Sequence, residues 1–420
     1  MKKYFNHVLC ALVLCATVFS SVQAQDRCAT NEHRAANLLA NPALVQQRAD
    51  LETFTQAWIA NRQNSGQESR VVETVSVVVH VLYKNATENI SDAQIESQLE
   101  VLNEDFRKLN SNASQTASGF QGIAADTEIE FCLATTDPNG DPTSGITRTL
   151  TTVAGIGDTD NWYSTANGGK DSWDYTKYIN IWVCDLGDEG LLGFASIPNS
   201  ADPPESDGMV IGHQYFGTTG TAANSFPNDG GRTVTHEMGH YFNLEHLWGE
   251  EEGGCNEDDF VSDTPNQFTE TEGCLTFPAF DACTTSGNGI NYNNYMDYSY
   301  DECMSMFTEG QKMRMLAALN GPRADLLSNS CAPVVGVNDR PNLIQVQAFP
   351  NPASNHLTIQ LEEGTPLNGH RFWLSDAVGR EVLELAPQQM MSIDVSGLHS
   401  GIYFLRSDAA IDATRILISK

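Results

Sequence analysis

The sequence predicts an α/β domain, built on a mixed twisted sheet with helices and completed by an irregular lower part, followed by a small all-β sandwich. Three observations lead there. Apolar, strand-like runs alternate with helical periodicity from Val71 to about Tyr241. After Asn243 the periodicity fades and turn residues accumulate. From about Pro333 short segments of alternating apolar residues take over. At 420 residues the chain is too long for one ordinary core.

Lys2 and Lys3, the apolar stretch Val8 to Phe19 and then Val22-Gln23-Ala24 read as a signal peptide over residues 1–24. That stretch is too short for a stable membrane span, and no later segment approaches one. Residues 25–70 read as a propeptide, with Arg62 or Arg70 in a polar stretch as cut points. The first domain, 71–331, opens with Val75 to Tyr83, a strand buried on both faces, and a helix from Asp92 to Leu109 capped by Ser91. Further strands fit Ile129 to Thr135, Ile179 to Cys184 and Gly208 to Ile211. Leu191 to Ile197, between Gly190 and Pro198, reads as an edge strand, open to an added peptide strand or simply an edge. A helix begins near Gly231, and Glu309 to Leu319 is the one firm helix downstream. A linker, 332–344, leads to the sandwich, 345–420. Its alternation falls at Leu357, Ile359 and Leu361, at Phe372 and Leu374, at Ile402 and Phe404, and at Ile416 and Ile418.

The chemistry concentrates in His236-Glu237-Met238-Gly239-His240 and His246. Two histidines four apart share one helix face, and the carboxylate beside the first is placed to take a proton from a water. Ten residues of continued helix would carry His246 roughly 15 Å from His236. Three nitrogens each about 2.0–2.1 Å from one zinc cannot be so far apart, so the chain must turn back between His240 and His246. Asn243 stands where that reversal needs a left-handed residue; glycine is the usual occupant and asparagine the next most tolerant. With His236, His240 and His246 on zinc and a fourth position open, Glu237 is the expected general base.

This motif resembles the metzincin metalloproteases, whose extended motif has glycine in place of Asn243. Asn294-Tyr295-Met296-Asp297-Tyr298 is similar to the methionine turn beneath the metal of that clan. With the interleaved cysteines, the set most resembles the pappalysin family. The resemblance implies a two-part catalytic domain with the cleft between its halves, Met296 as an apolar floor, and disulfides Cys255–Cys283 and Cys274–Cys303. It implies that Tyr298 hydrogen-bonds the tetrahedral oxyanion, against plain packing, and that Asp301 selects arginine or lysine after the cut, against simple solvent exposure with Glu302 able to share the role. It implies a calcium ion in the acidic loop at Asp259, Thr264 and the Ser262 carbonyl, with Asp258 and Asp263 as competitors. Arg27-Cys28-Ala29-Thr30 resembles the pappalysin pro-region, in which a thiolate on the metal would keep the enzyme latent; an unpaired leader cysteine is the alternative. Four cysteines without a C-x-x-C pair argue against a structural zinc. Cys132 and Cys184 lie in strand-like runs and are candidates to pair, with Cys331 left over. Phe349-Pro350-Asn351-Pro352, Gly401 to Phe404 and Arg415 to Lys420 resemble the C-terminal sorting domain of type IX secretion in Bacteroidetes, with a carbohydrate-binding or adhesive module as the alternative.

A net charge of −31 excludes nucleic acid as a partner, since phosphate binding needs a positive field. The expected protein is a secreted or surface-attached zinc metalloendopeptidase, routed through periplasm and outer membrane, whose partners are protein or peptide substrates and the secretion machinery. The competing function is a secreted binding or adhesion protein with a non-catalytic zinc site, against which the intact Glu237 argues.

Overall fold

The computed structural model describes residues 27–65, 72–187, 190–250, 253–329, 346–361, 371–376, 380–386, 388–407, 414–418 and 420. The predicted signal peptide, Arg70, the 332–344 linker and Cys331 lie outside the described residues. Two compact units divide at Ala332 and Pro333.

The first unit opens with two helices in the stretch read as propeptide, α1 (Thr30–Ala40) and α2 (Ala43–Ser65). Pro42 separates them, because a proline disfavours helical backbone in the residue before it. Arg62 thus lies in the last turn of α2 rather than in an irregular polar stretch.

β1 (Glu73–Tyr83) is the sheet's central strand, with Val75, Val77, Val79, Val81 and Leu82 fully buried. A parallel strand covered on both faces reads as such a continuous apolar run. β2 (Ile129–Leu133) pairs with its first half and β3 (Ile146–Leu150) with its second half, both parallel. On the other edge lie β4 (Ile179–Cys184) and β6 (Met209–Gly212), parallel, and then β5 (Gly193–Ala195), antiparallel, giving the order β2-β1-β4-β6-β5. The edge strand is shorter than the predicted Leu191 to Ile197.

α3 (Asp92–Phe106) begins at Ser91, whose hydroxyl accepts the Gln94 N–H at 3.2 Å. It stops before the predicted Leu109 because Lys108 turns to φ +53. α4 (Arg232–Tyr241) packs against α3, β5 and β6 and carries the first two histidines. Between Phe242 and Thr308 the described residues form no helix and no strand. α5 (Glu309–Leu319) then starts with a capping box in which Thr308 and Gln311 satisfy each other's backbone N–H groups.

Cys255–Cys283 and Cys274–Cys303 are disulfides, with Cα separations of 5.3 and 5.7 Å. Cys184 is a buried free thiol while Cys132 is disulfide-bonded, so these two do not pair with each other.

The second unit packs a three-stranded sheet on a four-stranded one as a small sandwich. The first holds β7 (Val346–Phe349), β8 (His356–Leu361) and β11 (Met390–Asp394) in the order β11-β8-β7. The second holds β9 (Phe372–Asp376), β10 (Glu381–Leu385), β12 (Gly401–Ser407) and β13 (Thr414–Ile418) in the order β10-β9-β12-β13. Leu357, Ile359, Phe372, Leu374, Ile416 and Ile418 share one core. In β12 the expected phase is off by one: Tyr403 and Leu405 are buried, and Phe404 is partly exposed.

Candidate metal centre and active-site cleft

Asn243 has φ +74°, the left-handed turn inferred from the motif. The Arg314 guanidinium holds it there, donating to the Asn243 carbonyl at 2.6 Å, and the Leu244 N–H returns to the Gly239 carbonyl at 2.9 Å. The reversal brings His246 back over α4. The three Nε2 atoms of His236, His240 and His246 stand 3.1–3.2 Å apart.

The outer nitrogens explain why these rings suit a cation. His236 Nδ1 faces the Tyr295 carbonyl at 2.7 Å and His240 Nδ1 faces the Leu244 carbonyl at 2.8 Å. A carbonyl only accepts, so both Nδ1 atoms carry the proton and both Nε2 atoms present bare lone pairs. Burial holds His236 and His246 well below the ordinary histidine range, and neighbouring histidines add to the effect. The bare lone pairs of His236 and His240 point at each other and at His246 Nε2 in a dry pocket, and they repel unless a positive ion lies among them. Nitrogens about 2.0–2.1 Å from a tetrahedral zinc would sit about 3.3 Å apart, close to the observed separations. The donor set therefore fits a zinc ion.

Cys28 Sγ joins this cluster, with the four ligand atoms all within 4.8 Å of one another. Its chain segment runs beside β5 through a parallel bridge, Ala29 N–H to the Gly193 carbonyl at 3.2 Å and Leu192 N–H to the Arg27 carbonyl at 2.9 Å. Burial pushes the Cys28 thiol well above its ordinary value, and the Glu237 charge adds to this. Glu237 Oε2 accepts the Thr30 hydroxyl at 3.0 Å and lies 3.5 Å from Cys28 Sγ.

Met296 is fully buried under α4, so close that a β-carbon on Gly239 would meet its sulfur. Tyr298 directs its hydroxyl to 3.3 Å from His246 Nε2 and packs edge-on against Trp248, which stacks on His246. Asp301 is 2% exposed, so the solvent-exposed alternative fails. Its Oδ2 accepts the Gly230 and Arg232 N–H groups at the start of α4, at 2.8 and 3.2 Å. Burial raises its carboxyl to about 6, opposed by the backbone N–H and charge of Arg232. Asp301 lines a cavity with Leu192, Thr233, His236 and Tyr298, and Arg27 enters that cavity from the N-terminal segment, donating to the Tyr298 carbonyl at 2.8 Å.

In the acidic loop, Asp259 is buried and takes the Thr264 hydroxyl at 2.8 Å; burial pushes it up to about 8. Ser262 is exposed. Asp263 is engaged elsewhere, accepting from Thr308 at 2.7 Å and from the Gly310 N–H at 2.9 Å.

Several residues at the site escaped the sequence reading. Asp105 on α3 accepts from the Tyr295 hydroxyl at 2.7 Å and the Thr235 hydroxyl at 2.8 Å, tying α4 to the methionine turn, and no motif marks it. Asn31 lies 3.4 Å from His246 Nδ1. Arg34 Nη1 donates to both oxygens of Glu245 at 2.7 and 2.8 Å, each partner 3% exposed.

A family profile described as pregnancy-associated plasma protein-A matches residues 164–320, and one described as a secretion system C-terminal sorting domain matches 347–419. An extracellular metalloprotease of Arthroderma gypseum is 32% identical over 305 residues, 71% of this chain and 86% of that protein. Among solved structures, a promirolysin mutant from Tannerella forsythia is 40% identical, covers 72% of this chain and 97% of its own, and superposes with a TM-score of 0.65. Mature mirolysin from the same organism, in complex with a cleaved peptide, is 45% identical over 62% of this chain and 97% of its own, with a TM-score of 0.59. By these matches the chain belongs to the pappalysin family of metzincins, a zinc metalloendopeptidase carrying a type IX sorting domain that directs it to the cell surface or the extracellular space.

Proposed function

We propose that this protein is made as a latent metalloendopeptidase, cleaves before basic residues, and uses Glu237 as its general base. The observation that carries this reading is the convergence of three imidazole nitrogens with the Cys28 sulfur at one point. His236, His240 and His246 would hold the zinc ion, which when bound supplies a Lewis acid that activates water and polarises the scissile carbonyl. Glu237 accepts a proton from the attacking water and passes it to the leaving amine. Tyr298, its hydroxyl beside His246, donates a hydrogen bond to the oxyanion as charge develops there. Met296 closes the floor and coordinates nothing.

Asp301 selects arginine or lysine after the cut. The support is its buried carboxylate in the lining of a cavity that Arg27 of the N-terminal segment also lines. A carboxylate in that position favours a basic side chain through charge-assisted hydrogen bonds.

Cys28 blocks the cleft until residues 25–70 are removed. The Cys28–Gly193 bridge lays this segment along the edge strand, and Thr30 occupies Glu237. Mirolysin has both a precursor and a mature form, matching 72% and 62% of this chain. Calcium binds the loop at Asp259, Thr264 and the Ser262 carbonyl, where burial holds the Asp259 carboxyl near 8 and a bound cation would favour its charged form. The sorting domain brings the type IX secretion machinery as a partner. Peptide cleavage by the processed chain, lost in Glu237→Ala with zinc retained, is the expected result; equal inactivity of both with zinc bound would favour the binding-protein alternative.

A further inference from the structure

Glu245 stands next to the last metal ligand, and nothing in the reaction above uses it. It is buried, and among the described residues its hydrogen bonds come from two arginines of the N-terminal segment: Arg34, through Nη1 to both oxygens, and Arg48 at 3.3 Å. Along that segment Arg27, Cys28 and Arg34 occur in order. Arg27 enters the Asp301 cavity, Cys28 reaches the three imidazoles, and Arg34 docks on Glu245 after passing Asn31 beside His246. The order of these residues along the segment sets the Asp301 cavity, lined in part by Arg27, before the metal centre and Glu245, paired with Arg34, after it.

Removal of the segment takes away both of these arginines at once. A carboxylate stripped of its partners in a cleft is costly to leave unpaired, so the vacated place favours another cation. Arg34 already shows that a guanidinium fits there, its Nη1 donating to both carboxylate oxygens at 2.7 and 2.8 Å while its Nη2 donates to Asn31.

We propose that Glu245 forms a second acidic subsite in the processed enzyme and takes an arginine side chain of the substrate on the side before the cut. Arg34 holds this subsite in the latent form. The proposal rests on the reading that the processed chain cleaves peptides with Asp301 facing residues after the cut. Substrates with basic residues on both sides of the scissile bond would then be favoured over those with one.

The test uses full chain processed by limited proteolysis within residues 61–70 and a set of quenched peptides. All share arginine after the cut, and each replaces glutamine by arginine at one of the three positions before it. In the wild type, arginine at one of these positions should raise kcat/KM about tenfold over glutamine, as expected for a charged hydrogen bond. In Glu245→Gln that ratio should fall to within about twofold, while preference after the cut is unchanged. Glu245→Asp should fall between them. Normal cleavage by the wild type with no gain from arginine at any of the three positions would overturn the subsite and leave the peptidase reading standing. That wild-type profile decides the matter even if Glu245→Gln does not fold. No cleavage of any peptide by the zinc-loaded processed chain would overturn both.

Discussion

Replacing Cys28 alone should leave the full chain largely latent, because the thiol is one of several anchors of the segment that covers the cleft. Cys28→Ser removes the sulfur but keeps the backbone hydrogen bonds to Leu192 and Gly193 and the Thr30 hydroxyl on Glu237. It also keeps the Arg34–Glu245 pair and the bidentate Glu52–Arg314 pair at 2.7 and 3.1 Å. Breaking a buried ion pair by removing one partner costs about 3–5 kcal/mol. Arg48 stays within 3.3 Å of Glu245, so the lower end applies to Arg34→Ala. About 3 kcal/mol corresponds to roughly a hundredfold rise in the population with the segment released. The assay is the initial rate of peptide cleavage by unprocessed full chain, with mass spectrometry confirming that the N-terminal segment is intact. Cys28→Ser should run below about a tenth of the processed rate, and Cys28→Ser with Arg34→Ala should approach that rate. If Cys28→Ser alone matched the processed enzyme, the ion pairs would contribute nothing to latency, and the argument from buried charge would fail.

Further outcomes follow from the same geometry. Asp301→Asn keeps an acceptor for the Gly230 and Arg232 N–H groups but removes the charge, so cleavage before arginine should fall toward that before glutamine, as a peptide library would record. Because the Asp301 carboxyl is raised to about 6, the wild-type preference should fade as pH drops through that value; a preference constant from pH 5 to 8 would contradict the assignment. Asn243→Gly should preserve zinc content and Tm, whereas Asn243→Ala should cost about 1–2 kcal/mol at its positive φ and weaken zinc retention, measured by thermal unfolding and metal analysis. Asp259 is raised to about 8 in the folded chain, above its unfolded value. The folded state therefore holds the extra proton, and this contribution to stability is present at low pH and lost as pH rises toward 8. Calcium should remove that loss, so the Tm gain from added calcium should be larger at pH 8 than at pH 6, and Asp259→Asn should abolish the difference.

Much of this architecture was written in local pattern. The run Val75 to Tyr83 could be identified as a central strand because every position is apolar or becomes paired inside the sheet. The turn at Asn243 followed from the arithmetic of helix rise against the reach of one ion. β3 escaped because Ile146 and Leu150 bracket three polar residues, and half-exposed strands lack a run to notice. The phase of β12 slipped because Ile402, Tyr403, Phe404 and Leu405 are all apolar, so alternation gives no clue to which pair faces inward. The non-pairing of Cys132 and Cys184 depends on three-dimensional separation that spacing cannot supply. Asp105, Arg34 and Glu245 were illegible for one shared reason. Each acts through a partner more than a hundred residues away, and a charged residue in isolation looks like solvated surface.

The central claim is that three imidazoles and the Cys28 sulfur meet at one point in the latent chain. X-ray absorption at the zinc edge tests it directly. The full chain should give one zinc with a first shell of three nitrogens and one sulfur, and the processed chain should keep the nitrogens and exchange the sulfur for oxygen. A full-chain spectrum without a sulfur scatterer, or a shell unchanged by processing, would contradict the account.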